Sequence, residues 1–359
     1  MAWLAATVAA AFVAFVALAY SLRWHWTGFP AVPAVSAEIQ ERPAKTVWDW
    51  LQLLGIPVAL AALAFLLNSA QSRRDQQRED QRASQARVLA TDAERESTLG
   101  TYLARMSDLT LDRGLLHSKP RADVREVART ATLTAVRRLD GARKGLVVRF
   151  LAEARLITRH EGGTDGLLRV ASADLTRADL RAAKLSGVDL SDGNFRAANL
   201  SDADLVQADL NNASLIGADL SYADLAAADL TNAKLDRADL TGADFLGTDL
   251  TSAELRMAHL REAHLGNSNL SWANLMEADL SGAHLILARL TNATLTGADL
   301  SRADLSHADL SHAEVSEADL RGASLDGANL TGANLLGADL RGARGVILKG
   351  SRGKPAHMP

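Results

Sequence analysis

One five-residue pattern of apolar and polar positions repeats 34 times, without a frame shift, between residues 173 and 342. The central position is Leu at every fifth residue from Leu175 to Leu340, with three exceptions: Phe195, Phe245 and Val315. The position two residues earlier is Ala, with four exceptions: Val188, Gly193, Thr248 and Ser268. On an α-helix this spacing would rotate successive leucines by about 140°, and on a strand it would alternate their faces. The chain must therefore turn once per repeat, which predicts a solenoid with Leu and Ala pointing inward.

The repeated sequence A-(D/N)-L-x-x resembles the pentapeptide-repeat family. The resemblance implies a β-solenoid in the form of a right-handed quadrilateral β-helix, in which four repeats make one coil. The 34 repeats would then form eight and a half coils, with a length of roughly 40 Å at a strand spacing of about 4.8 Å. Each central Leu should stack on the Leu twenty residues away, because one coil cannot bury its leucines alone.

Two apolar segments near the N-terminus are long enough to cross a bilayer. Residues 2–20 carry no charge, and residues 47–67 carry only Asp49. They predict two transmembrane helices, at residues 1–22 and 47–67, joined by an outer hairpin loop at residues 23–46. The alternative for the first segment is a cleaved signal peptide, because Ala17-Leu18-Ala19 fits a cleavage site. No basic residue precedes Arg23, which favours a retained helix.

The basic residues next to these segments predict the orientation of the chain. The outer loop holds three Lys or Arg residues, whereas five arginines follow the second segment: Arg73, Arg74, Arg78, Arg82 and Arg87. The positive-inside rule places everything beyond residue 68 in the cytoplasm. We therefore expect a multi-pass protein of the inner (plasma) membrane of a bacterium. The arginines, together with Trp24, Trp26, Trp48 and Trp50, should lie at the surface of the lipid bilayer.

The segment between the membrane and the repeats predicts helices. Residues 68–98 are mostly polar and favour a stalk helix, with a disordered charged linker as the alternative. Residues 99–162 predict a helical cap region: a stripe of Leu99, Leu103, Met106 and Leu109, then helices at about 123–139 and 143–157. Asp140-Gly141 is interpreted as the stop of the middle helix. The last helix should cover the first coil of the solenoid (163–345), whose strand edge would otherwise be open. Residues 346–359 are expected to form a tail.

Charge is distributed unevenly along the chain. Residues 173–342 carry 26 acidic and 12 basic residues, a formal charge of −14, while the remainder carries 17 acidic and 27 basic residues. The chain has no cysteine, which excludes disulfides and thiolate chemistry. No phosphate-binding loop or hydrolase motif is present, and an evenly convex rod offers no cleft. We therefore expect no enzymatic activity, cofactor, metal site or small-molecule substrate.

The position before the central residue gives one uniform column of acidic side chains. It contains Asp179, Asp219, Asp239, Asp279, Asp299, Asp319 and Asp339, with Asn199 and His259 interspersed. The column could imitate the phosphates of nucleic acid, or Asp could simply be the residue that accepts backbone N–H bonds in each turn. Carboxylates about 5 Å apart repel, so some of their pKa values should rise.

Apolar residues at outward positions give a second candidate surface for a partner: Leu246, Trp272, Ile286 and Leu287. His264 and His284 are twenty residues apart and should stack. No column holds more than two histidines, however, and a metal site needs three or four ligands. The histidines are therefore interpreted as solvated surface residues.

These observations predict a membrane-tethered protein-binding or scaffolding protein. Its rigid acidic solenoid would be displayed in the cytoplasm to an unidentified protein partner, without direct binding of nucleic acid. The alternative function is a DNA-mimicking regulator of DNA gyrase. A two-span sensor or channel subunit is a third possibility, although Asp49 is the only charge within the spans.

Overall fold

The computed structural model describes residues 55–119, 122–158, 167–168 and 170–358. The chain divides into two compact units, Met1–Ala90 and Thr91–Pro359. Among the described residues, no helix combines the length and the apolar character needed to cross a membrane. The predicted span at residues 1–22 and the outer loop lie outside the described residues, and so do residues 47–54 of the second predicted span.

One long helix, α1, runs Ile56–Leu111 and contains all of the described part of the first unit except Gly55. The predicted boundary between a stalk and a cap region at residues 98 and 99 falls inside this helix, so no helix end separates the two segments. From Thr91 onward α1 belongs to the second unit. There the predicted stripe packs inward: Leu99, Met106 and Leu109 are buried and Leu103 is partly buried.

Three short elements follow α1 in the second unit. A 3₁₀ turn spans Leu115–His117, α2 spans Asp123–Val136 and α3 spans Gly141–Glu153. Their buried side chains, which include Ala128, Val136, Val147 and Leu151, share one core with α1 and the repeats. Buried Tyr102 of α1 and Thr132 of α2 share a 3.0 Å hydrogen bond between their hydroxyls. Burial of the Tyr102 ring raises the pKa of its hydroxyl.

The prediction for Asp140-Gly141 was wrong. Gly141 is the first residue of α3, and Asp140 is the N-cap of that helix, where its carboxylate accepts a 3.1 Å bond from the Arg143 N–H. The Arg143 guanidinium also donates to Asp140 at 2.6 Å and pairs with Asp92 and Glu96 of α1 at 2.9 and 3.0 Å. Asp at an N-cap satisfies an otherwise unpaired helix N–H, so this dipeptide starts a helix here.

The repeats form a solenoid in which backbone bridges pair residues twenty positions apart. The bridges are parallel and run in unbroken register from Asp174 with Asn194 to Ser324 with Arg344. Each is a single paired residue flanked by turns. Four repeats therefore make one coil, and we name its sides A, B, C and D after the central residues Leu175, Leu180, Leu185 and Leu190 and every twentieth residue that follows.

The interior is filled by the central residues and by the small residues two positions earlier, all of which are buried except Ala328, which is partly buried. Exceptions to the pattern compensate locally. A Cβ atom at Gly193 would lie 2.4 Å from the ring of Phe195, so this ring, as it is placed, leaves no room for a larger residue at position 193. The buried hydroxyls of Thr248 and Ser268 each donate to a backbone carbonyl at 2.7 Å, which removes the cost of an unpaired buried polar group.

Helix α3 and the segment after it cover the first coil, as the sequence predicted. The carbonyl of Gly141 accepts the Asp179 N–H at 2.8 Å, and the carbonyl of Ile157 accepts the Asp189 N–H at 2.6 Å. Both donors belong to the first coil and have no preceding coil to bond. The buried Lys144 ammonium donates to the carbonyl of Thr176 at 3.2 Å. The cap therefore closes the open strand edge.

The C-terminal residues do not form a separate tail, which corrects that prediction. Arg352 pairs in parallel with Asn334, and His357 pairs with Asp339. Val346 and Leu348 pack against the end of the core. The segment thus forms an irregular last coil. It was missed because it lacks the repeated pattern and because its pairing partners lie about eighteen residues away.

Candidate interaction surface of the solenoid

The two residues after each central residue form a corner of the coil. The carbonyl of Leu240, for example, accepts the N–H of Ala243 at 3.1 Å across the corner residues Thr241 and Gly242. The second corner residue has a positive φ at every corner from Ser172 to Gly342. None of these residues is Val, Ile or Thr, since β-branched side chains fit this backbone region poorly. The corners therefore point their second side chain outward in a fixed direction.

The acidic column lies on side B, one position before each central residue. In every Asp or Asn of the column, one side-chain oxygen accepts the backbone N–H two residues later, at 2.9 to 3.3 Å. This bond is the one expected if Asp or Asn is present at this position to accept a backbone N–H in each turn, rather than to imitate a nucleic-acid phosphate. Each of these side chains is consequently held in one orientation by its own turn.

Two members of the column are paired with arginine. The Arg321 guanidinium binds both carboxylate oxygens of Asp319 at 2.5 to 2.9 Å, and Arg341 binds Asp339 at 2.6 to 3.0 Å. The hydrogen bond from Arg321 lowers the pKa of Asp319, and the bond from Arg341 lowers the pKa of Asp339 to about 2. The expectation of raised pKa values was wrong for this pair. A bidentate arginine outweighs repulsion from the next carboxylate.

The outward apolar residues fall on two different corners. Leu246 and Ile286 occupy the same corner position after side C, two coils apart, and Leu287 follows Ile286. Gly266 lies between them, and a Cβ atom there would be 3.5 Å from the Leu246 side chain. These residues form a shallow apolar corner, which we name the side C corner. Trp272 is 64% exposed and lies on the corner after side D, so the register separates it from the other three.

The sequence comparisons agree with this geometry. The family model for pentapeptide repeats matches the chain in 8 copies between residues 173 and 344. The chain is also 40% identical to HetL, a pentapeptide repeat protein involved in regulating heterocyst differentiation in the cyanobacterium Nostoc; the match covers 51% of this chain and 82% of HetL, with a TM-score of 0.49. The chain belongs to the pentapeptide-repeat family. The fold implied for the solenoid is the right-handed β-helix of that family.

Other solved pentapeptide-repeat proteins are similar over shorter stretches. One from the thylakoid lumen of Arabidopsis thaliana is 35% identical, covering 26% of this chain and 70% of that chain, with a TM-score of 0.23. QnrB1, a plasmid-mediated fluoroquinolone resistance protein, is 25% identical, covering 46% of this chain and 79% of that chain, with a TM-score of 0.22. No curated protein matches the chain significantly.

Histidines of this pentapeptide-repeat protein lie on several sides of the coil. His264 and His284 are adjacent on side C, with ring centroids 5.1 Å apart and planes inclined by 67°. His307 and His312 lie over Gly327 and Gly332, where a Cβ atom would come within 2.6 Å of the imidazole. The described residues contain no group of three or more His, Cys, Asp or Glu placed to hold a metal ion.

The residues predicted to lie at the membrane surface are only partly described. Trp24, Trp26, Trp48 and Trp50 lie outside the described residues. The five arginines from Arg73 to Arg87 are on α1 and are exposed. Arg78 forms an ion pair with Asp75 at 3.8 Å. Such an exposed pair contributes little to stability, so the arginine can still interact with other anions.

The sequence analysis did not predict that large residues alternate with glycine along the corner after side B, which leaves a concave surface there. Tyr222 lies against Gly242, where a Cβ atom would be 2.7 Å from the ring. Further along the same column, large residues again alternate with glycine: Glu262, Gly282, Arg302 and Gly322. Around Gly282 this leaves a cleft of about 400 Å³ that is also lined by Arg261, Ser301 and Arg321. The alternation at forty-residue intervals was the available signal.

A second concave surface lies within the helical cap. It is an open groove of about 700 Å³ between α1 and α2, and its lining includes Thr98, Tyr102, Val127 and Thr134. This groove could not be predicted from the sequence, because it depends on how the two helices pack.

Proposed function

We propose that this pentapeptide-repeat protein is a membrane-tethered scaffold whose acidic solenoid binds a protein partner in the cytoplasm. The proposal rests chiefly on one observation: the surface carboxylates are held in fixed register by bonds to their own turns. A rigid surface loses little conformational entropy when it binds. Together with the formal charge of −14 over residues 173–342, this favours a partner with a basic surface.

The side C corner is the proposed centre of the contact. Leu246, Ile286 and Leu287 are 52%, 39% and 55% exposed. Acidic residues flank them along the same side, including Asp244 and Asp304. Protein interfaces commonly combine an apolar centre with a polar rim. The charges would set orientation and association rate, while the apolar side chains would slow dissociation.

Site-specific crosslinking from membranes tests this proposal. A photoreactive residue at position 246 should capture one protein, and the yield should fall at least about tenfold with Ile286→Asn and at high salt. Leu336→Asn is the matched control, since Leu336 is 58% exposed on a different corner, after side A. Equal loss with both variants, or capture insensitive to salt, would argue against the side C corner.

The membrane tether is part of the proposal and is supported by the uncharged residues 2–20 and by the arginines that follow residue 67. Alkaline phosphatase fused after residue 359 should be inactive, because that enzyme needs the oxidising exterior to form its disulfides. An active fusion would refute the cytoplasmic location.

The alternative function, imitation of DNA toward gyrase, has weaker support. Arg321 and Arg341 neutralise two successive carboxylates of the side B column, which interrupts the negative stripe that such imitation needs. A supercoiling assay separates the two functions, because the proposed scaffold should leave gyrase unaffected. Inhibition or protection of gyrase at stoichiometric concentrations would favour the alternative.

A further inference from the structure

Two imidazoles on side C are placed by the backbone. The backbone N–H of His264 donates to the carbonyl of Ala243 at 2.9 Å, and the backbone N–H of His284 donates to the carbonyl of Ala263 at 2.9 Å. His264 and His284 are themselves bridged in parallel register. Because each residue is bonded on both sides by neighbouring coils, the spacing of the two side chains is set by the solenoid. Rigid support of this kind is what a metal ligand pair requires.

Neither imidazole is used elsewhere in the described structure. Both side chains are exposed, and within the described residues their ring nitrogens have no hydrogen-bond or ion-pair partner; the ring contact between them is the one interaction of their side chains. Neutral imidazole nitrogens are ligands that Zn²⁺ prefers. The Leu246 side chain of the side C corner lies next to Gly266, the second residue after His264, so the two histidines border that corner.

The separation of the rings fits one ion between them. A Zn–N distance of about 2.05 Å places the metal about 3.2 Å from each ring centroid. With centroids 5.1 Å apart, the N–Zn–N angle is then about 106°, close to the tetrahedral value that Zn²⁺ adopts. The proposal requires rotation about the side-chain bonds to direct one nitrogen of each ring at this common point, since the rings are inclined by 67°.

We propose that His264 and His284 form a two-ligand site for a divalent transition metal of the Zn²⁺ type. The described residues offer no third ligand in place, so water fills the remaining positions in the free protein. The site lies beside the side C corner, so a ligand from a docked partner could replace a water. The metal binding itself is independent of the proposed docking function and is tested without a partner.

The experiment measures Zn²⁺ binding to the full chain by thermal shift and by the NMR signals of the histidine rings, at pH 7.5. Zn²⁺ should raise the melting temperature and move the His264 and His284 signals together, whereas Mg²⁺, which prefers oxygen ligands, should do neither. His264→Gln and His284→Gln should each weaken the binding by about tenfold or more. His312→Gln, which removes an exposed histidine after side D, is the matched control and should leave binding unchanged.

Two results would overturn the proposal. One is Zn²⁺ binding that survives both His264→Gln and His284→Gln, since the ion would then sit elsewhere. The other is the absence of any ring-signal change for these two histidines at millimolar Zn²⁺. Metal-free melting temperatures equal to that of the unsubstituted chain establish that the variants are folded, as expected for exposed side chains.

Discussion

Helix α3 contacts the first coil so closely that its glycines cannot be enlarged. A Cβ atom at Gly145 would lie 1.9 Å from the carbonyl oxygen of Asp179, whereas real Cβ contacts essentially never fall below 3.0 Å. Gly145→Ala must therefore displace the helix from the coil by about 1 Å. That shift breaks the 2.8 Å bond between the Asp179 N–H and the Gly141 carbonyl and leaves a strand-edge donor unpaired.

The expected cost follows from two opposing effects. In a helix interior, Ala is favoured over Gly by about 1 kcal/mol, which would stabilise the variant if space allowed. Overpacking costs about 1–3 kcal/mol, and an unpaired donor costs about 1–3 kcal/mol more. We expect a net loss of roughly 1–5 kcal/mol in the free energy of unfolding. Gly100→Ala is the control, because Gly100 lies in α1 with nothing within 4 Å of its Cβ position.

The assay is urea denaturation of both variants, combined with hydrogen exchange at the Asp179 and Asp189 amides. Gly145→Ala should lower stability and speed exchange at both amides, because an uncapped first coil frays before its neighbours. Gly100→Ala should raise stability slightly and leave exchange unchanged. If Gly145→Ala were as stable as Gly100→Ala, the close contact between α3 and the first coil would be refuted.

Three further predictions concern the solenoid. Leu240→Asp buries an unpaired carboxylate at a position that is 0% exposed, which should cost several kcal/mol and lower the melting temperature. The control Leu336→Asp changes an exposed residue and should leave the melting temperature unchanged; equal melting temperatures for the two variants would show that the assignment of inward and outward positions in the repeat is wrong. Because Arg341 lowers the pKa of Asp339 to about 2 from 3.8, the pair stabilises the fold above pH 3.8 and this is lost as pH falls through about 2. Arg341→Gln should raise that pKa in an NMR titration, and no change would exclude the pairing. Gly247 has a φ of 67° with open space around it, so Gly247→Val should lower the free energy of unfolding by about 1–2 kcal/mol through the backbone alone, and a neutral result in urea denaturation would contradict the corner geometry.

The solenoid could be predicted from the sequence because each coil contacts only its neighbours. Leu240 is buried for the same local reason as Leu220 and Leu260, so a period read from the chain also gives the register of the backbone bridges. The interior positions, the need for a cap at the first coil and the turn bonds of the acidic column all follow from that period. The apolar stripe Leu99, Met106 and Leu109 was equally readable, since helical spacing is a local property.

Tertiary structure decided the features in which a residue has more than one competing partner. Asp140 caps α3 by accepting the Arg143 N–H, and the fold adds the Arg143 guanidinium and Arg95 of α1 as partners of its carboxylate. Asp319 has a lowered pKa because the guanidinium of Arg321, two residues along the chain, is oriented in the folded structure so that it reaches both carboxylate oxygens. Trp272 is separated from Leu287 because the chain turns a corner between their columns. The repeat determined where each backbone position lies. The partners of the long side chains depended on how those side chains are oriented in the folded structure.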